Sequence, residues 1–257
     1  MGEVIKLNHH SAAVLPYHLD LEGRLHFVLE QKDPKYKAPY FDNGLNFLGG
    51  NWEKGVNTDL SPKDVVERET PEEFWDKYEA PESLNSLLGQ EFLKREPEVM
   101  VKYDLKSVER IKQVGKIVGS SLGYAGNYIV RVLPPITKSE LVYGSSIFTR
   151  VLSEQEFKTI CDVAQEFEGR LTTDNLKWGS KTVVVTLDDI NHKNRKFSWG
   201  YCNMVNMMFQ HSFLPKQPCG VARPLNLVKI EGMPLPLQAE TFEDIEKEGY
   251  AYLEKKK

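Results

Sequence analysis

The sequence is poor in the features that would mark several common protein classes. Of its 257 residues only three are cysteines, Cys161, Cys202 and Cys219, and no two of them form a CxxC pair. An odd number of isolated cysteines argues against a disulfide framework and against a zinc–cysteine site. We therefore predict thiols buried in the core and a reducing compartment.

Long apolar runs and an excess of basic residues are also missing. No run of about 18 apolar residues occurs, so no membrane span is predicted, and the first residues lack the apolar segment of a signal peptide. The net charge of -4 and the sequence pI of about 5.9 give no strong nucleic-acid signal. We expect a cytoplasmic protein, whose acidic balance still suits an anionic substrate if a divalent cation supplies positive charge.

The composition is that of a folded protein with a large core, since 40% of the residues are hydrophobic and 27% are charged. Its periodicity predicts strands first, then a helix, then strands and helices in irregular order, which is typical of an α+β fold with a mixed sheet. A turn at residues 20–23 predicts a hairpin between the first two strands. The predicted strands are Ser11–His18, Arg24–Glu30, Leu45–Leu48, Glu98–Leu105, Gln113–Val118, Tyr128–Leu133 and Lys181–Leu187. The predicted helices begin at Ser61, cover Ser153–Glu168 and cover Phe197–Phe213.

The helix that begins at Ser61 has a strong start signal and an ambiguous end. Ser61 is a capping residue, Pro62 takes the first helical position, and Asp64 favours the helix dipole. Thr70 and Pro71 repeat that pattern nine residues later. Either one helix continues through Pro71, or Thr70 caps a second helix that begins there.

The stretch from Gly49 to Trp75 reads GGNWEKGVNTDLSPKDVVERETPEEFW. It resembles the signature of the Nudix family, in which a glycine is followed by an Arg-Glu pair and a Glu-Glu pair. The matching residues are Gly50, Glu53, Gly55, Arg68, Glu69, Glu72 and Glu73. The resemblance implies a Nudix-like mixed β-sheet sandwiched between helices, as one domain over residues 1–240. A helical insertion at about 75–112 and a charged C-terminal tail at 241–257 complete this expectation.

The chemistry of the motif depends on three carboxylates. On a continuous helix, Glu69, Glu72 and Glu73 share one face, and hard oxygen ligands of this kind suit Mg²⁺ or Mn²⁺. The resemblance implies that Glu69 and Glu73 are the main metal ligands, that Glu72 is a further ligand or a catalytic, water-orienting carboxylate, and that Arg68 is structural. It implies a hydrolase that cleaves a phosphoanhydride bond in a small-molecule substrate, a nucleoside diphosphate linked to another group. Gly49 and Gly50 would let the backbone pass close to this helix.

The motif departs from the signature in ways that leave other functions open. Four residues around Val56–Asp59 are inserted, Leu60 takes the place of the signature's first glutamate, and Pro71 interrupts the acidic run. The alternative is a catalytically inactive Nudix-fold module that binds a nucleotide, a metabolite or a protein. A third reading is an unrelated α+β protein in which the acidic run is an ordinary helix start. A homo-oligomer remains open in each case.

Two weaker signals lie outside this stretch. The glycine-rich residues 119–126 lead into a strand rather than a helix, so we predict a turn or bulge and not a phosphate-binding loop. Nudix enzymes often recruit an additional acidic residue from outside the signature, and the helix beginning at Ser153 offers Glu154, Glu156, Glu166 and Glu168. The resemblance does not say which residue has that role.

Overall fold

A curled, mixed β-sheet organises the fold in the computed structural model, which describes residues 4–36, 38, 40–76, 78, 103–193, 195–217, 219–222, 226–233 and 241–254. The strands are β1 Ile5–Leu7, β2 His10–Leu19, β3 Leu25–Gln31, β4 Leu45–Asn46, β5 Leu48–Trp52, β6 Gly123–Val132, β7 Leu141–Val151, β8 Lys181–Thr186, β9 Val228–Gly232 and β10 Tyr250–Tyr252. Among the described residues, eight strands form one sheet and β1 pairs with β10 in a second.

The main sheet has the order β4-β3-β2-β7-β6-β9, with β5 also paired to β2 and β8 also paired to β3. Its centre is parallel, because β2 runs alongside β7 in the same direction, while its other pairings are antiparallel. The long strand β2 pairs with β5 at its start and with β3 at its end. The predicted hairpin between β2 and β3 and the predicted strand at Lys181 are confirmed.

Helices cover both faces of this sheet, which agrees with the predicted α+β class. They are α1 Pro62–Glu73, α2 Leu105–Val118, α3 Glu154–Glu166, α4 Thr173–Trp178, α5 Leu187–His192, α6 Tyr201–Gln210 and α7 Phe242–Lys247. Ser61 and Ser153 each form a capping box with the residue three positions on, as their sequence context predicts. In the part of the chain that the structure describes, no helix combines the length and apolarity needed to cross a bilayer.

Successive residues of β2 face opposite sides of the sheet and so divide the core in two. Ala12 and Val14 belong to the cluster under α1, α2 and α3, with Val65 of α1 among its members. Ala13 and Leu15 belong to the cluster under α6. The Met-rich segment that begins at Phe197 is therefore core packing, and Met204, Val205 and Met208 are buried.

The largest differences between the predicted elements and the structure concern helices α2 and α6. The predicted strand Gln113–Val118 is wrong, because these residues end helix α2, whose buried Ile111, Val114 and Val118 recur at helical spacing. The described end of the predicted strand Glu98–Leu105 is wrong as well, since Asp104 caps α2, and residues 98–102 lie outside the described residues. Helix α6 is shorter than predicted because Trp199 and Gly200 have positive φ angles of 51° and 83° before it.

The C-terminal residues 241–254 are charged, as expected, and they are also folded. They form α7, in which Phe242 and Ile245 are buried, and β10, which lies parallel to β1. The expected helical insertion at about 75–112 is described from 103 onward, where it enters α2, and at residues 75, 76 and 78. Helix α2 packs closely on the end of α1, since a Cβ at Gly115 would overlap the side chain of Phe74.

Candidate functional site

Helix α1 runs unbroken through Pro71, so the interpretation with two helices is wrong. The amide of Phe74 donates to the carbonyl of Thr70 at 3.0 Å, which continues the helical pattern past the proline. A proline inside a helix costs about 3 kcal/mol, and the buried Thr70 hydroxyl has no hydrogen-bond partner among the described residues. Burial of Phe74 and Trp75 directly after the helix offsets this cost. Glu69, Glu72 and Glu73 consequently share one helix face.

The glycine strand passes directly over this face. Gly50 lies in β5, and a Cβ at that position would overlap the carboxyl group of Glu69. Any side chain larger than hydrogen would therefore displace Glu69 or the strand. The expected close approach to the helix is confirmed for Gly50, whereas Gly49 lies against Ala12 and Ala13 of β2.

Arg68 is fixed by the inserted residues. Its Nε donates to Asp59 Oδ1 at 3.0 Å and its Nη2 donates to Asp59 Oδ2 at 2.9 Å, a two-pronged pair with a buried carboxylate. Its Nη1 also donates to Glu69 Oε1 at 2.6 Å and lies 3.8 Å from Glu72 Oε2. The hydrogen bond to Asp59 is the largest cause of the raised pKa of Arg68. Leu60, which replaces the signature's glutamate, is 74% exposed, and Asp59 beside it anchors Arg68 instead.

Two acids from outside the motif complete a group that we call the acid cluster: Glu30, Glu69, Glu73 and Asp174. Glu30 lies in β3, where Lys32 Nζ donates to its Oε2 at 2.5 Å and Ser180 Oγ donates to its Oε1 at 2.6 Å. Asp174 lies in the first turn of α4. Sequence reasoning missed both, although a glutamate inside the apolar strand at Arg24–Glu30 is a usable signal, since buried acids are rare unless paired.

The acids proposed from helix α3 are engaged elsewhere. Glu154 lies 2.9 Å from the Nε2 of His18, and Glu156 caps its own helix and pairs with Arg150. Glu166 pairs with Arg110 and Glu168 with Arg170. None of them is among the charges that act on Glu73.

The carboxyl groups of Glu69, Glu73 and Asp174 in the acid cluster have raised pKa values. Burial raises the pKa of Glu73 well above its usual range, and the neighbouring charges of Asp174, Glu30 and Glu69 raise it further. Burial also raises the pKa of Glu69, against the opposing effect of Arg68, and burial and Glu30 raise the pKa of Asp174. Among the described residues, the Glu73 carboxylate has no hydrogen-bond partner. Because Glu73 is partly exposed and lies among like charges, a proton or a cation would stabilise it.

The donor chemistry of the acid cluster fits a hard divalent cation, because every group offers carboxylate oxygens. As they are arranged, however, no three or more Asp, Glu, His or Cys residues of the described ranges converge closely enough to hold a metal ion. Lys32 and Arg68 instead neutralise Glu30 and Glu69. A cation at this place would therefore have to compete with two internal ion pairs.

The remaining sequence signals have structural roles. The glycine-rich segment ends α2 and enters β6, with an irregularity in pairing between Tyr124 and Asn127, as predicted for a bulge. Cys202 is buried in the core and burial raises its thiol pKa to about 11, so it is a poor nucleophile.

Comparison with known proteins adds no relationship to this description. Neither the models of known protein families nor the curated proteins contain a match to this chain. The geometry of α1, the Gly50 strand and the acid cluster is therefore the basis for assigning a function.

Proposed function

We propose that this chain is a cytoplasmic, Nudix-like hydrolase that cleaves a phosphoanhydride bond in a nucleoside-diphosphate-linked substrate with a divalent metal, Mg²⁺ or Mn²⁺. The observation that carries the proposal is the Glu73 carboxylate. It is partly buried, lacks a hydrogen-bond partner among the described residues, and has its pKa raised by the charges of three further acids. An arrangement of this kind costs stability, and such costs concentrate at functional sites.

The proposal gives each residue a role that its surroundings support. Glu69 and Glu73 would be the main ligands of the cation, and Glu72 would add a ligand or orient the attacking water and accept its proton. Arg68, held by Asp59, would keep Glu69 in place. The cation supplies charge neutralisation at the phosphates and lowers the pKa of the attacking water.

Glu30 and Asp174 would be the additional acids from outside the motif. Both act on Glu73 electrostatically, and both sit on elements other than α1. Lys32 would shield Glu30 until a cation arrives, since its ammonium already pairs with that carboxylate. Gly50 leaves room for the Glu69 carboxyl group itself, because a Cβ at that position would overlap it.

The test is turnover of a panel of nucleoside diphosphates linked to sugars, to alcohols and to second nucleosides, with Mg²⁺ or Mn²⁺. Glu69→Gln and Glu73→Gln should each lower kcat/KM by about a hundredfold. Glu67→Gln is the matched control, because Glu67 lies on the same helix and pairs with Lys63 in solvent. Full metal-dependent turnover by both site variants would refute the proposal.

A second function, a Nudix-like module that binds its ligand without catalysis, is favoured by the two internal ion pairs of the acid cluster. If Lys32 and Arg68 stay in place, the acids are neutralised without metal. Thermal unfolding with the same compounds, with and without Mg²⁺, separates the two functions. Stabilisation by a compound that requires Mg²⁺ favours the hydrolase, and stabilisation that ignores Mg²⁺ favours the binding module.

A further inference from the structure

The C-terminal helix α7 packs on the loop that carries the inserted residues, which we call loop 53–60. Phe242 stacks on Trp52, immediately before the loop, with ring centroids 3.9 Å apart and an interplanar angle of 12°. The amide of Phe242 donates to the carbonyl of Leu60, at the end of the loop, at 2.9 Å. Lys54 Nζ donates to Glu246 Oε1 at 2.7 Å. Helix α7 thus contacts loop 53–60 at both ends.

Loop 53–60 also contacts the acid cluster, through Asp59 and Arg68. Asp59 precedes Leu60 directly, and its carboxylate holds the guanidinium of Arg68. Arg68 in turn holds the Glu69 carboxylate at 2.6 Å. A continuous series of contacts therefore leads from α7 through loop 53–60 to the acid cluster, over residues that are far apart in sequence.

The C-terminal segment is itself firmly attached. Thr241 caps α7 by accepting from the Asp244 amide, and Ile245 is fully buried. Strand β10 pairs with β1, and the Tyr252 hydroxyl lies 2.6 Å from His10 Nδ1 inside the core. Because the C-terminal segment is held at these points, its contacts can restrain loop 53–60. Surface loops are otherwise more mobile than helices and strands, and they position a site residue such as Asp59 less precisely.

We infer that residues 241–254 are a positioning element for the acid cluster, with Phe242 and Glu246 acting through loop 53–60 on Asp59, Arg68 and Glu69. The physical coupling follows from the contacts alone, and its consequence for cation binding rests on the proposed function. The insertion in the motif and the C-terminal segment together hold Arg68 and Glu69 in position.

The coupling is tested first without any metal. In ¹⁵N-labelled protein, the exchange rate of the Arg68 Nε–H reports whether Asp59 still holds it. Phe242→Leu, which keeps apolar bulk but loses the stacked ring, should raise that rate by about tenfold, and Glu246→Gln by about threefold. Glu243→Gln is the control, because Glu243 lies on α7 and pairs with Lys247 at the surface. Unchanged rates in both variants would overturn the inference.

The consequence for the site is tested by calorimetric titration with Mn²⁺. Phe242→Leu and Glu246→Gln should weaken Mn²⁺ binding by about five- to tenfold, with Glu243→Gln at the wild-type value. If Arg68 exchange rises but Mn²⁺ affinity stays at the wild-type value, the positioning role is overturned. If the wild type binds no Mn²⁺ while Arg68 exchange responds as expected, the coupling stands and the proposed hydrolase function fails. Should Phe242→Leu not fold, Glu246→Gln decides alone.

Discussion

Two polar groups in this molecule, one buried and one partly buried, are stabilised in different ways. The first, which we call the His10 network, links Tyr252, His10, Ser146 and Asn127 across the sheet. Ser146 donates to Asn127 Oδ1, so it accepts from His10 Nε2–H at 2.8 Å, and the Tyr252 hydroxyl donates to Nδ1 at 2.6 Å. Both ring nitrogens of a neutral His10 are therefore satisfied.

The acid cluster contains like charges instead of alternating donors and acceptors. Lys32 and Arg68 satisfy two of its carboxylates, and Glu73 is left without a hydrogen bond among the described residues. The difference teaches which of the two groups is complete within the chain. The His10 ring is satisfied within the described chain, although Asn127 Nδ2 in the same network has no partner there. A partly buried group of like-charged acids is instead stabilised by a proton or a cation from solvent.

The largest expected effect that separates the two groups is the acid sensitivity of the His10 network. Burial, with a smaller effect of His9, lowers the His10 pKa to about 3. Because the folded-state pKa of His10 is depressed, the contribution of neutral His10 to the free energy of unfolding is present above pH 6.5. This contribution is lost as the pH falls towards 3. At about 1.4 kcal/mol per pKa unit, the loss is roughly 5 kcal/mol.

Urea unfolding of the wild type and of His10→Gln between pH 4 and pH 7 measures about two thirds of this loss, since about 2.5 of the 3.5 pKa units lie above pH 4. The wild type should lose its advantage over His10→Gln as the pH falls. If the stabilities of the two proteins changed in parallel with pH, His10 would not change its protonation on unfolding. The contrast between the His10 network and the acid cluster would then fail.

A smaller effect is expected from removing the internal cation of the acid cluster. Lys32→Met leaves Glu30 buried without its ion pair and should lower the free energy of unfolding by about 3 kcal/mol. Lys63→Met, which breaks an exposed pair with Glu67, should cost less than about 1 kcal/mol. The double variant Glu30→Gln/Lys32→Met should recover most of the loss. Equal costs for Lys32→Met and Lys63→Met would mean that the Glu30 pair is effectively solvated.

The smallest effect has the opposite sign. The folded-state pKa of Glu73 is raised, so its contribution to stability is fully present below about pH 4.5 and is lost as the pH rises through the folded-state value. Glu73→Gln should therefore stabilise the protein at pH 7.5 and leave it unchanged at pH 4. Chemical denaturation at the two pH values measures the difference. A destabilised variant at pH 7.5 would show that Glu73 has a favourable partner.

The sequence predicts best where local rules decide. Ser61, Pro62 and Asp64 begin α1 as expected, because capping depends on neighbours within one turn. The sequence alone does not decide whether α1 continues through Pro71, because this depends on the burial of Phe74 and Trp75 by distant parts of the chain. The sequence predicts strands where helix α2 lies, since short apolar runs fit either period.

The candidate site was predicted in part for the same reason. Glu69, Glu72 and Glu73 are near in sequence, and their common face follows from helix geometry. Glu30 and Asp174 join them only through the sheet topology, which places β3 and α4 beside α1. The anchoring of Arg68 by Asp59 was missed because the insertion shifts that acid out of the register of the signature. In the folded protein, loop 53–60 brings the Asp59 carboxylate back to the guanidinium of Arg68.

The parallel pairing of β1 with β10 has a consequence for how the chain reaches this state. Residues 5–7 leave the ribosome well before their partners at residues 250–252, which follow almost all of the described chain. Contacts that span such a separation form late, because a long loop must close first. Helix α7 arrives just before β10, so loop 53–60 gains its support only at that stage. During synthesis, the acid cluster would thus be among the last regions of the protein to become ordered.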